Sequence, residues 1–176
     1  MLEGIFQIKG IDHYAIVVRE LDKSRDFHVK NLGFSLKDCY ELKTSEESPD
    51  NDTIACVLTK CYGEREEICV INQPLNSYSF LNQYILKCGE GIHHIAYSVD
   101  NLRREFNKGL ENHIDFTSDQ IIFDHINKLY QVFIDKKYTG YFIELIQREP
   151  LTQEQTMALF SNNNIKELII NTAKSL

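Results

Sequence analysis

The sequence lacks an excess of basic residues. Its 19 lysines and arginines are outnumbered by 26 aspartates and glutamates, which gives a net charge of −7. Nucleic acids and anionic membranes both attract basic surfaces, so we expect neither as a partner. Short basic clusters such as Arg103, Arg104 and Lys108 are interpreted as solvated helix faces, which leaves local binding of an anionic substrate open.

The sequence also lacks any apolar run near the roughly 20 residues that cross a bilayer. Residues 1–9 are too short and too polar to resemble a signal peptide. The 5 cysteines are odd in number and include no Cys-x-x-Cys pair. We therefore predict reduced thiols, packing roles for Cys56 and Cys69, and a cytoplasmic location.

Two histidine-bearing segments, 10–18 and 91–100, are present and repeat each other. When His13 is aligned with His94, four apolar positions coincide: Ile11 with Ile92, Ala15 with Ala96, Val18 with Val99, and Leu21 with Leu102. A repeat of this kind sets the architecture, so we expect two related modules, each opened by a histidine-bearing strand.

Strand geometry predicts which side chains accompany the second histidine. Alternate residues of a strand face opposite sides, so His94, Ala96 and Ser98 share one face while Ile95 and the next alternate residues share the other. Small residues beside a histidine leave space above it, which suits a site better than a packed core.

Each repeated segment continues into a helix and three strands. The first helix is predicted over 21–34, with Asp22 as a cap and Gly33 as a left-handed end, and the second over 101–112, with Asn101 as its cap. The predicted strands are 34–42, 54–60 and 67–72 in module one, and 121–124, 130–135 and 141–146 in module two, with turns at Tyr62–Gly63 and Gly140. Residues 76–87 are a connector with helical spacing.

The predicted division is a domain over 1–148, with module one at about 8–74 and module two at about 91–148, followed by a C-terminal extension over 149–176. Thr152–Gln155 matches a helix-start capping pattern. A helical apolar stripe follows at Ile165, Leu168, Ile169 and Ala173. This tail is expected to pack on its own chain or on a second subunit in a homodimer, or to cover the site as a lid.

Three residues form a candidate metal site. Glu144 is a carboxylate in the apolar run 141–146, where an unpaired charge is costly. With His13 and His94 it makes a set of two histidines and one carboxylate, which suits a divalent transition metal with open positions for substrate or water. Alternatively, Glu144 faces solvent and the histidines are hydrogen-bonded core residues. The equivalent positions of the histidines in the repeat favour the metal.

These residues resemble a known family. The openings Ile11-Asp12-His13 and Gly91-Ile92-His93-His94, and the strand around Glu144, are similar to the vicinal oxygen chelate superfamily, over roughly residues 8–148. Within it, residues 89–97 most resemble methylmalonyl-CoA epimerases. The resemblance implies an α+β fold in which two βαβββ modules form a curved, cup-like mixed sheet, with a C-terminal helical tail. It also implies His13, His94 and Glu144 as ligands of Co, Zn, Mn, Ni or Fe(II), with His93 facing away.

Two positions depart from the epimerase pattern. The family places a further ligand four residues before the proline that closes module one, which is Val70 here and cannot coordinate. The family's carboxylate base would fall near Asp50 or Asp52, where the alignment is loose. The other histidines, His28, His113 and His125, have no motif around them and are expected at the surface or in packing.

The resemblance implies an enzyme whose small-molecule substrate offers two chelating oxygens to the metal. The first hypothesis is an epimerase or isomerase acting through a metal-stabilised enolate on an acyl thioester or carboxylic acid, with Glu144 and Asp50 or Asp52 as catalytic residues. The second is a non-haem Fe(II) dioxygenase, towards which Val70 moves the balance. The third is a small-molecule-binding protein of the resistance type, which would not require the intact ligand set.

Overall fold

The computed structural model describes residues 4–150 and 159–176. Within them the strands are β1 (Ile8–Val17), β2 (Ser35–Leu42), β3 (Thr53–Tyr62), β4 (Arg65–Pro74), β5 (Gly91–Val99), β6 (Ile122–Asp124), β7 (Leu129–Ile134) and β8 (Phe142–Arg148). The helices are α1 (Leu21–Phe27), extended by a π-helical turn (His28–Leu32), α2 (Phe80–Cys88), α3 (Leu102–Glu111) and α4 (Asn162–Ala173). The capping pattern predicted at 152–155 lies outside the described residues.

All of these strands belong to one mixed, curved sheet in the order β2-β3-β4-β1-β5-β8-β7-β6. β1 and β5 run antiparallel at its centre. Each is paired on its other side, in parallel, with the last strand of its own half: β1 with β4 and β5 with β8. The prediction of two βαβββ units and a helical tail is therefore confirmed, and the repeat brings the two histidine-bearing strands together.

Most local signals in the sequence act as predicted. The side chain of Asn101 caps α3 by accepting a hydrogen bond from the Arg104 amide at 2.9 Å. Gly33 ends the first helical segment at φ 76°, a left-handed conformation that glycine adopts without steric cost. Asp22 was wrong as a cap, because α1 begins at Leu21 and the residue before it, Glu20, makes no side-chain capping bond.

The helices cover the two faces of the sheet differently. Leu21 of α1 and Leu102 and Phe106 of α3 pack in two separate clusters on one face. The other face, which we call the inner face, carries β-strand residues such as Ala15 and Ala96, and it is covered by α2 and α4 in a single core cluster. The predicted helix at the C-terminus thus packs on its own chain. Among the described helices, none combines the length and the hydropathy needed to span a bilayer.

The cysteine prediction was wrong at two positions. Cys39 and Cys56 are cross-strand partners in β2 and β3, and they form a disulfide, whereas Cys61, Cys69 and Cys88 are free thiols. Stable disulfides are typical of oxidising compartments. The cysteines therefore give no support to a cytoplasmic location, which stays a prediction.

Candidate metal centre

The structure brings His13, His94 and Glu144 together on the inner face. One ligand atom from each lies within 4.8 Å of the others, and all three side chains are buried. They come from β1, β5 and β8, which are adjacent strands of the sheet. Because β1 and β5 pair so that His13 faces Ala96 and Ala15 faces His94, the two imidazoles meet across the central strand pair.

The three atoms have the spacing of a metal ligand set. His13 Nε2 lies 3.1 Å from His94 Nε2, and Glu144 Oε2 lies 3.3 Å from the first and 3.4 Å from the second. Atoms at the corners of such a triangle all lie about 2.1 Å from one point just outside its plane, which is the bond length of nitrogen and oxygen ligands to zinc and similar metals. The arrangement therefore fits one divalent cation.

The environment of Glu144 also fits a cation. Its side chain is 0% exposed, and neither carboxylate oxygen has a hydrogen-bond partner among the described residues. Burial raises the pKa of the Glu144 carboxyl above its ordinary value, and the neighbouring His13 opposes part of this rise. A buried carboxylate without a donor is costly, so the site is incomplete without a positive charge.

His13 is oriented by a carboxylate behind it. Its Nδ1 lies 2.9 Å from Asp12 Oδ1, and Asp12 is held in turn by two bonds of 2.9 Å from the Arg148 guanidinium. Burial raises the pKa of Asp12, but Arg148 and His13 outweigh it and hold that pKa below its usual range. With Nδ1–H donating to Asp12, Nε2 of His13 presents its lone pair to the site, as a metal ligand must.

Without a bound metal, the two histidines differ in their protonation, and therefore in their charge. Burial lowers the pKa of His13, but the carboxylates of Glu144 and Asp12 outweigh it and raise the pKa to about 9. His94 has no such carboxylate behind it, and burial, with His13 and His93 nearby, holds its pKa well below the ordinary value. When no metal is bound, a proton on His13 therefore compensates the charge of the Glu144 carboxylate.

His93 was predicted to face away, and this was wrong. Pairing between β1 and β5 is irregular here, since Ala15 faces His94 but the next residue faces Ile92. His93 is the extra residue of a β-bulge and turns to the inner face, where it is 2% exposed and its Nδ1 lies 2.9 Å from Nδ1 of His94. Strand alternation, on which the prediction rested, does not hold across a bulge.

Val70 occupies the position that corresponds to Glu144. Val70 pairs with Ala15 in the β1–β4 ladder, and Glu144 pairs with Ala96 in the β5–β8 ladder, while Ala15 and Ala96 are themselves equivalent in the repeat. The absence of a fourth ligand at this position therefore follows from the register as well as from the sequence.

The space expected above His94 is filled by the C-terminal segment. Phe160 packs edge-on against His13, with ring centroids 4.9 Å apart, and lies under the Arg148 guanidinium. With Ile165 and Leu168 of α4 it encloses a cavity of about 20 Å³ beside His13 and His94. With this covering in place, such a cavity admits one water molecule or one ion, so an organic substrate would have to displace part of the covering.

The two predicted base residues lie apart from this centre. Asp52 is fully buried, and its carboxylate accepts hydrogen bonds from the amides of Thr44 and Ser45 and from the hydroxyls of Thr44 and Thr53. It stands five residues beyond Val57, the partner of Val70, which is roughly 17 Å along the strand. Asp52 therefore anchors its loop, and Asp50 is exposed in that loop. A catalytic role for either stays a prediction.

The remaining histidines lie outside the cluster. His113 and His125 are exposed, and His28 is partly buried, with its Nδ1 2.8 Å from the Ser24 carbonyl oxygen. By contrast, sequence reasoning missed Asp12 and Arg148 as partners of the site. The dipeptide Asp12-His13 carried a usable signal, since metal-binding histidines commonly pair their second nitrogen with a carboxylate.

The comparisons with known proteins agree with this architecture. A variant of methylmalonyl-CoA epimerase from Streptomyces coelicolor with one glutamine replaced by alanine, in complex with 2-nitronate-propionyl-CoA, superposes with a TM-score of 0.65 at 18% identity, covering 82% of this chain and 100% of the epimerase. The epimerase from Mycobacterium tuberculosis gives 0.65 at 19%, covering 85% and 94%. A hypothetical protein from Bacillus halodurans gives 0.65 at 22%, covering 81% and 96%. Identities this low establish the fold alone.

Among functionally curated proteins, no sequence matches the chain. The family comparison is decisive for a coarser statement, because residues 10–145 match the family model and include both histidine-bearing strands and Glu144. The chain belongs to the glyoxalase/bleomycin resistance protein/dioxygenase superfamily.

Proposed function

We propose that this protein is a metal-dependent enzyme that binds a small molecule through two of its oxygens. The observation that carries the proposal is the buried Glu144 carboxylate, which has no hydrogen-bond partner in the described part of the chain and lies 3.3 and 3.4 Å from two histidine nitrogens. In a purely structural core, the charge would be balanced by a proton on His13 with no hydrogen bond to anchor the carboxylate among the described residues. The binding-protein alternative needs no such set of ligands.

His13 Nε2, His94 Nε2 and a Glu144 oxygen would hold the metal. The bound cation would act as a Lewis acid and stabilise negative charge that develops on a substrate oxygen. Asp12 orients His13, and Phe160 with α4 keeps bulk water away from the centre. This dry, pre-oriented surrounding strengthens electrostatic interactions with the substrate.

The first candidate reaction is epimerisation or isomerisation of an acyl thioester or carboxylic acid with an acidic α-proton. The resemblance of residues 89–97 to the epimerases and the superposition with two epimerases support it. Removal of the α-proton by Asp50 or Asp52 stays a prediction from the resemblance, and both residues lie in the loop apart from the metal centre.

The second candidate is Fe(II)-dependent dioxygenation. Val70 favours it, because two histidines and one carboxylate with open positions are the typical ligand set of non-haem Fe(II) oxygenases. A fourth protein ligand at Val70 would occupy one of the positions that substrate and oxygen need.

Metal analysis of anaerobically purified protein tests the proposal, followed by two assays on candidate acids and thioesters. Incorporation of solvent deuterium at the α-carbon, without oxygen uptake, would establish the first reaction. Oxygen uptake that depends on Fe(II) would establish the second. Protein that binds no divalent metal at micromolar concentration would refute both.

A further inference from the structure

The ring of His94 contacts a second histidine, His93, on the side away from the proposed metal. We call such a residue the outer partner of a ligand. His93 Nδ1 lies 2.9 Å from His94 Nδ1, and both side chains are buried. The ring of His93 is fixed between Tyr84 and Phe142, with centroids 4.8 and 5.2 Å away. Two nitrogens at this distance form a hydrogen bond only if one carries the proton and the other does not.

The metal decides the direction of this bond. When His94 Nε2 ligates a cation, the remaining ring proton of neutral His94 must be on Nδ1. Nδ1 of His93 is then the acceptor. A His93 ring that accepts on Nδ1 in its neutral form carries its own proton on Nε2.

Nε2 of His93 faces a helix of the C-terminal extension. Thr172 Oγ1 of α4 lies 3.4 Å from it, and the same hydroxyl lies 3.0 Å from the carbonyl oxygens of Leu168 and Ile169. The chain of donors is consistent along its length: His94 donates to His93, His93 donates to Thr172, and Thr172 donates to the α4 backbone.

We propose that His93 is a positioning residue of the metal centre, and that Thr172 of α4 holds it in the tautomer that accepts the Nδ1 proton of His94. The inference rests on the proposed metal site. In this arrangement α4 does more than cover the inner face, because its Thr172 also orients a metal ligand through His93. Outer partners of metal-binding histidines contribute roughly 10–100-fold to metal affinity.

A second contact supports this role of the C-terminal extension. Arg148, which clamps Asp12 behind His13, also donates to the Leu159 carbonyl oxygen at 3.1 Å and lies over the Phe160 ring. Both metal-binding histidines are therefore connected to residues 159–176. His13 is connected through Asp12 and Arg148, and His94 is connected through His93 and Thr172.

The first test is a direct measurement of the tautomers. Full-length protein labelled with ¹⁵N-histidine is loaded with Zn²⁺, and the ring nitrogens are assigned by long-range ¹H–¹⁵N correlation. The expected spectrum shows a protonated Nδ1 on His94 and a protonated Nε2 on His93. A zinc-loaded protein in which His94 carries its proton on Nε2 overturns the proposal.

The second test measures Zn²⁺ affinity by competition with a chelator. His93→Leu removes the acceptor, and we expect about 10–100-fold weaker binding. His93→Asn places an amide oxygen where Nδ1 was, and it should restore most of the affinity. Thr172→Val should show a smaller loss in the same direction. Thr117→Val is the matched control, because the buried Thr117 hydroxyl has no hydrogen-bond partner among residues 4–150 and 159–176 and lies outside the centre.

The outcomes separate this inference from the proposed function. If the wild-type protein binds no zinc, the proposed function fails and this inference fails with it. If the wild type binds zinc and His93→Leu binds it equally well, only the inference fails. If His93→Leu does not fold, the tautomer spectrum of the wild type and the Thr172→Val affinity still decide.

Discussion

The two halves of the sheet are built alike but contribute unequally to the metal centre. The half from β1 to β4 supplies His13, and the half from β5 to β8 supplies His94 and Glu144. The equivalent of Glu144 in the first half is Val70. The duplication thus sets the strand positions from which a side chain can reach the metal. The residue at each of these positions decides whether it is a ligand.

The halves also differ behind their histidines. Asp12, a carboxylate, backs His13, and His93, a neutral imidazole, backs His94. The first partner raises the basicity of its histidine, whereas the second leaves burial as the dominant effect. The predictions below break or sharpen this comparison.

The largest effect is expected from removing the second-half histidine. His94→Ala should weaken divalent metal binding by more than about 100-fold, because losing a ligand costs more than losing an outer partner. Stoichiometric metal analysis measures this, with the exposed His125→Ala as control. If His94→Ala retained a full equivalent of metal, the assignment of the ligands would be refuted.

The pH dependence of metal binding should be set by the first-half histidine. Metal must displace the proton on His13, whose pKa is raised to about 9 in the metal-free protein, whereas His94 is already neutral at pH 7. Below pH 9 the affinity should therefore fall about tenfold per pH unit, and above pH 9 it should be level. Isothermal titration in buffers of different ionisation enthalpy should count about one proton released at pH 7.5. Release of none, or of two, would contradict this difference between the histidines.

Making the halves more alike should strengthen binding. Val70→Gln places an amide oxygen at the position equivalent to Glu144, and about tenfold tighter zinc binding is expected from an added neutral ligand worth roughly 1.4 kcal/mol. Val70→Leu, which adds no ligand atom, is the control. If Val70→Gln bound zinc with the same affinity as the wild type, the side chain at position 70 would not reach the metal, despite its equivalence to Glu144 in the sheet.

The smallest effect concerns stability without metal. Glu144→Leu replaces a buried carboxylate, whose charge partner is the protonated His13, by an apolar side chain and lets His13 become neutral. Replacing a buried ion pair in this way should raise the unfolding free energy of the metal-free protein by about 1–2 kcal/mol. Thermal unfolding should show a rise in Tm of a few degrees, and added zinc should no longer raise it further. A lower Tm without metal would mean that the Glu144–His13 pair stabilises the protein by more than the burial of its two charges costs.

The fold and the ligand cluster were predictable because their signals are local or repeated. His13 and His94 share a motif, Asn101 and Gly33 act on their own helix ends, and strand patterns gave the element order. Each of these signals is contained within about ten residues or is present twice.

The features that the sequence did not reveal depend on distant pairing. The bulge that turns His93 inward is a property of how β1 and β5 align. The Cys39–Cys56 disulfide needs the β2–β3 register, and the anchoring role of Asp52 needs the loop that folds around it. The place of α4 over the site depends on packing across the whole sheet, which an apolar stripe does not specify.

The small cavity beside the histidines limits which substrates could reach the proposed metal. A molecule that reaches His13 and His94 has to take the place of Ile165 and Leu168, and each such buried side chain contributes about 1.5–3 kcal/mol. A compact, fully polar diacid has no apolar surface that could replace the contacts of these displaced side chains. If the proposed function holds, we expect the substrate to carry an apolar group beside its two chelating oxygens.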